Sequence, residues 1–142
     1  MTYTVTPAVI EQRRAARLRH GAQSKAALSP LIVSMKKSLL ARMGLRQRDL
    51  SWAGRELLEV YCCAKAKTST IDHWLETNPL IDESGNVAPV MRVYLAALNS
   101  SVRTLEALLG VMAEMAREDQ RFDRALQALA AEGRKVRAEN DG

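Results

Sequence analysis

The stretch ELLEVYCCAKAKTSTIDHWLETNPLIDESGNVAPVMRVYLAALNSSVRTLEALLG (Glu56–Gly110) decides the fold. In its first part Leu57, Tyr61, Ala64, Ile71, Trp74 and Leu75 recur near the 3.6-residue period of a helix. Asn78-Pro79, Ser84-Gly85 and Gly85-Asn86 then form a turn-rich loop, and Pro89 suits the first position of a new helix. Val90, Val93, Tyr94, Ala97, Leu98, Ser101, Leu105, Leu108 and Leu109 make that second helix amphipathic. Two such helices around a short loop predict an antiparallel helical hairpin. Its first arm reaches back to Asp49 or Ser51, both competent N-caps. Continued to Thr77, that arm is about 42 Å long at 1.5 Å per residue. Leu80, Ile81 and Val87 around Gly85-Asn86 permit a small β-hairpin at the tip.

Helical pattern extends on both sides. Upstream, Ser29-Pro30 is a start signal, and Leu31, Ile32, Met35, Leu39 and Met43 follow at helical spacing before Gly44 stops them. The helices on either side of Gly44 permit a helix-turn-helix-like unit. Thr6-Pro7 opens a further candidate helix to about Arg19, poor in large apolar residues. Downstream, Gly110 is a stop or kink, after which the helical pattern resumes and continues to Arg137. Residues 138–142 read as a frayed tail. The fold class is therefore all-α, with N-terminal basic helices, a long antiparallel hairpin and a C-terminal helix. A single hairpin has one buried seam. The apolar face formed by Leu105, Leu109, Met112, Met115, Phe122, Leu126 and Leu129 has no obvious partner in so short a chain. It is expected to close against another subunit.

Charge divides the chain more sharply than composition suggests. Of 142 residues, the first fifty hold ten Lys or Arg and two acids, hence +8; the rest hold eleven and fourteen, hence −3. Residues 1–50 thus read as a basic DNA-binding segment and 51–137 as the hairpin and oligomerisation region. Arg13, Arg14, Arg17, Arg19, Lys25, Lys36, Lys37, Arg42, Arg46 and Arg48 are the candidate phosphate contacts. His20 adds charge only in mild acid.

Other chemistry is poorly represented. Cys62 and Cys63 are adjacent, so on a helix they diverge by about 100° and cannot converge on one metal. His20 and His73 lie far apart in sequence, and no phosphate-cradling glycine loop or nucleophile motif occurs. No catalytic group, metal or cofactor is expected. No apolar run is long enough to cross a bilayer, the N-terminus lacks the order of a signal peptide, and the Arg-rich segment has too few large apolar residues for a membrane-surface helix. These features predict a cytoplasmic protein without a membrane partner.

From about Leu39 to Gly110 the chain resembles the small terminase subunits of tailed phages. The resemblance rests on the acid before the long helix (Asp49), Tyr61 with Ala64, Trp74, Gly85 in the loop, Pro89, and the Leu105, Leu108, Leu109, Gly110 ending. After Gly110 the sequence departs from that pattern by continuing as helix. The resemblance implies an all-α, ring-forming homo-oligomer without an active site. It would bind double-stranded viral DNA at the packaging start site and deliver it to the terminase large subunit, which carries the ATPase and nuclease. A dimeric helix-turn-helix transcription regulator fits the same charge division.

Overall fold

The computed structural model of the chain describes residues 25–141, with side chains for residues 28–139. The candidate helix at Thr6-Pro7 and Arg13, Arg14, Arg17 and Arg19 lie outside the described residues, as does the side chain of Lys25. Four helices follow in order: α1 (Lys25–Met43), α2 (Trp52–Leu75), α3 (Val90–Glu118) and α4 (Asp123–Asp141). Single 3-10 turns stand at Gln47–Asp49 and Gln120–Phe122. The all-α class is as expected.

α2 and α3 form the expected antiparallel hairpin. Ser51 is the N-cap of α2, its hydroxyl accepting from the Gly54 N–H at 3.2 Å. Asp49 serves the preceding turn instead, accepting from the Arg46 N–H at 2.8 Å. In the loop, Ile81 and Val87 make an isolated antiparallel bridge. Asp82 Oδ1 accepts from the N–H groups of Ser84 and Asn86, both at 2.9 Å, and Gly85 takes φ +82°.

Three boundaries differ from expectation. α1 is already helical at Lys25, with Pro30 inside it rather than at its start. α3 runs through Gly110, an exposed position facing open space, where a missing side chain costs only local propensity. It ends at Asp119, whose extended backbone (φ −147°, ψ 117°) breaks the helix. The Asp119 carboxylate accepts from the Arg121 N–H at 3.0 Å and its carbonyl from the Phe122 N–H at 3.1 Å. Phe122 is driven inward by that turn, and the chain folds back as α4. The third boundary is the tail. α4 continues to Asp141, and Glu139 is tied to Lys65 of α2 at 3.0 Å.

The fold-back corrects the expected oligomerisation face. Leu105, Met112, Phe122 and Leu129 lie in the chain's own core, joined by Leu39, Met43 and Leu50 from α1 and its turn and by Leu58 from α2. Leu109, Met115 and Leu126 are half-buried and pack on the same cluster. The partner missing from a two-helix hairpin is supplied by α1 and α4. Gly133 on α4 faces this packing, where a Cβ would meet Leu105 at 3.7 Å and Leu109 at 3.8 Å, both ordinary contacts. The charge boundary at residue 50 is likewise no packing boundary, because Leu28, Ile32, Leu39 and Met43 belong to this core.

A second, smaller cluster occupies the loop end of the hairpin. Ile71 and Val90 are buried there, with Trp74, Leu75, Ala88, Val93 and Tyr94 around them. Neither α1 nor α4 contributes to it.

At the opposite end, Gly44 closes α1 with φ +70°. Its N–H donates to the Ala41 carbonyl at 3.1 Å, and the Leu45 N–H donates to that of Leu40 at 3.1 Å. An L side chain is strained in this left-handed conformation, so Gly44→Ala is expected to cost about 1–2 kcal/mol. Urea unfolding monitored by circular dichroism measures it.

Candidate nucleic-acid interface

The turn from α1 to α2 is pinned from inside. Leu50 is buried and Leu45 half-buried, both on the main core. The residues between them, Arg46, Gln47 and Arg48, are left exposed. The 3-10 turn and the Asp49–Arg46 bond hold them in a tight bend, so two of the expected phosphate contacts are presented on a rigid corner. Neither makes an ion pair with another described residue.

The fold-back at Asp119 brings further arginines to this corner. Arg124, at the start of α4, lies over Gly44, with Nε 3.4 Å from where a Cβ would stand. Arg121 lies close enough to Asp49 for its pKa to be raised by it, after the larger effect of its hydrogen bond to Asp119. Sequence reading missed Arg121 and Arg124, because only the turn at Asp119 makes residues so distant in sequence adjacent. Acids share the corner. The Arg121 N–H, at 3.0 Å, and then its Nε, at 2.7 Å, donate to Asp119 and hold its carboxyl below the usual range. Asp49 is spent on the Arg46 N–H, and Asp123 is exposed.

Two other expected contacts are engaged within the fold. Lys36 is paired with Glu59 of α2. Arg42 donates to Glu132 Oε2 at 2.8 Å, while the Tyr61 hydroxyl donates to Glu132 Oε1 at 2.8 Å. Both cations are structural ties between helices. Lys37 points outward from α1 and has no such partner among the described residues.

Glu132 is 8% exposed, the one charged residue in the described core. Burial pushes its pKa up, but the donors Tyr61 and Arg42 prevail and hold the carboxyl below its ordinary value. The Tyr61 phenol is driven well above its usual range, by burial first and then by Glu132. Burial also raises the Cys62 thiol to about 12, so at neutral pH it is not a thiolate nucleophile. A cleft of about 290 Å³ adjoins this network, between Ser34 and Ser38 on α1, Lys65 on α2 and Glu132 on α4.

Among the described residues no cluster of three His, Cys, Asp or Glu side chains is placed to hold a metal, and no helix is long and apolar enough to cross a membrane. Comparison with protein-family models, with curated proteins and with solved structures gave no match.

Proposed function

We propose that the protein binds double-stranded DNA through its cation-rich first fifty residues and serves as a small terminase subunit, delivering phage DNA to the large ATPase/nuclease subunit. The observation carrying this reading is the segregation of charge, +8 before residue 51 and −3 after it. The geometry supports it at one place: Arg46 and Arg48 are exposed on a rigid bend, unpaired among the described residues, directly after α1. Lys36 and Arg42 leave the DNA-contact set, since each is occupied by a glutamate of the fold. Arg124 joins it.

A phosphate contact contributes about 0.9 to the slope of log affinity against log salt. Arg46→Ala with Arg48→Ala is therefore expected to reduce that slope by about 2 and to weaken binding of a duplex alike across sequences. Fluorescence anisotropy across a salt series measures both. An unchanged slope removes these arginines from the interface.

A second reading, a dimeric DNA-binding regulator, rests on the same charge division. The apolar residues expected to close against another subunit are used up inside the chain, which leaves a ring and a dimer alike in need of a different contact. Subunit number separates the readings, because a two-fold interface closes at two copies whereas a ring needs a head-to-tail contact.

A further inference from the structure

Two apolar side chains at the α1–α2 corner are placed oppositely. Leu50 is buried, whereas Trp52, two residues on, is 72% exposed, more than any other large apolar side chain among the described residues. Leu50 anchors the chain in the core and Ser51 caps α2, so the backbone that carries Trp52 is fixed. The indole makes no hydrogen bond or ring contact with another described residue; the cation–π pair among them is Arg121 over Phe122. The other tryptophan, Trp74, packs in the loop-end cluster. Helix propensity does not call for Trp at position 52 either, since it ranks below Ala, Leu or Glu.

Cations stand on both sides of the indole. Arg48 precedes Trp52 by four residues, so at most about 14 Å separates their Cα atoms. Arg55 follows it by three, on the same face of α2. Both arginines are exposed, and neither makes an ion pair with another described residue. Arg55 lies beyond the basic first fifty residues, and its place in the first turn of α2 is what brings it to the corner. Glu56, exposed one turn beyond Trp52, opposes these charges, whereas Asp49 is already spent on the Arg46 N–H.

Phosphate contacts account for the arginines but not for an indole between them. Inside a closed duplex each base face is covered by its neighbour, so an aromatic plane finds no partner there. An unpaired base offers one, and stacking on an aromatic side chain strengthens binding by about tenfold or more. We propose that Trp52 is a stacking site for one unpaired base, with Arg48 and Arg55 on the flanking phosphates, so that the corner holds DNA where its strands are parted. The inference rests on the DNA reading and names the form of DNA that this corner takes. It differs from a wedge driven between stacked bases, which kinks closed duplex and needs no unpaired nucleotide.

The test has two arms, both on the full chain. Trp74→Phe leaves Trp52 as the sole tryptophan. Its fluorescence is expected to be quenched readily by acrylamide in the absence of DNA, with residues 1–24 present; an indole shielded from acrylamide overturns the proposal. A duplex with an unpaired overhang is expected to quench and shield the indole, and a blunt duplex of the same length is not. The second arm keeps Trp74 and follows labelled DNA by fluorescence anisotropy. Trp52→Ala is expected to weaken binding of the overhang duplex about tenfold and of the blunt duplex less than about twofold, while Trp52→Phe keeps most of the affinity. Arg55→Ala is expected to lower the salt slope for a single strand by about 0.7. Circular dichroism confirms that each variant folds. Equal losses on both duplexes mark a wedge and overturn the proposal, as does no loss on either. The functional reading survives those results if Arg46→Ala with Arg48→Ala still lowers the salt slope, whereas an unaltered chain that binds neither duplex overturns both.

Discussion

Leu129→Ala is expected to lower the unfolding free energy by about 3 kcal/mol, and by the same amount at every protein concentration. Leu129 is fully buried, within a cluster that includes Leu105, Leu108 and Met112 of α3 and Leu58 of α2. Truncation removes the apolar contacts and leaves a cavity that the helices only partly close. For a chain of this size the loss amounts to about 10 °C in Tm. Concentration is the informative variable. If Leu129 sealed one subunit against another, the penalty would appear in the association constant and Tm would move with protein concentration. A core residue leaves the association constant unchanged, and the Tm difference between the two chains does not vary with concentration. Thermal unfolding of both chains over a hundredfold range of concentration decides between these outcomes.

Arg42→Ala is expected to cost about 2–3 kcal/mol, more than an exposed ion pair is worth. Arg42 is itself about half exposed, with 48% of its side chain accessible. Its loss matters through Glu132, which stays buried with Tyr61 as its remaining hydrogen-bond donor. The pH dependence follows from the direction of the shift. The folded-state pKa of Glu132 lies below its ordinary value of 4.5, so its contribution to stability is present above that value. It is lost as pH falls through the depressed folded value. In the variant, burial acts with less opposition and the folded pKa rises, so acid destabilises less. The stability gap between the two proteins is therefore expected to narrow below about pH 4. Urea midpoints from pH 3 to 8 measure it, and a gap independent of pH would show that Glu132 is not the group responsible.

Much of the hairpin was legible because its signals are local. The Ser51 cap, the Gly85 turn and the Val90-to-Leu109 stripe depend on residues within a few positions of one another. The break at Asp119 was not legible. It has neither glycine nor proline, and it works through one carboxylate and the pull of Phe122 toward a core that exists only once α1 and α2 are in place. Missing that turn turned a core face into an expected subunit face. The candidate interface suffered for the same reason. Arg42 and Arg48 look alike in sequence, yet one meets Glu132, ninety positions away, and the other meets no acid among the described residues. Charge counts along a chain carry no information about such pairings.

The two separate apolar clusters divide the hairpin mechanically. The main core binds all four helices together, whereas the loop end depends on Ile71, Val90 and the few side chains around them. That outer portion can breathe at the cost of one small cluster, while the bundle below keeps every contact it has. Backbone amides from the end of α2 to the first turns of α3 would then exchange with solvent through a local opening, leaving the corner that bears Arg46 and Arg48 undisturbed.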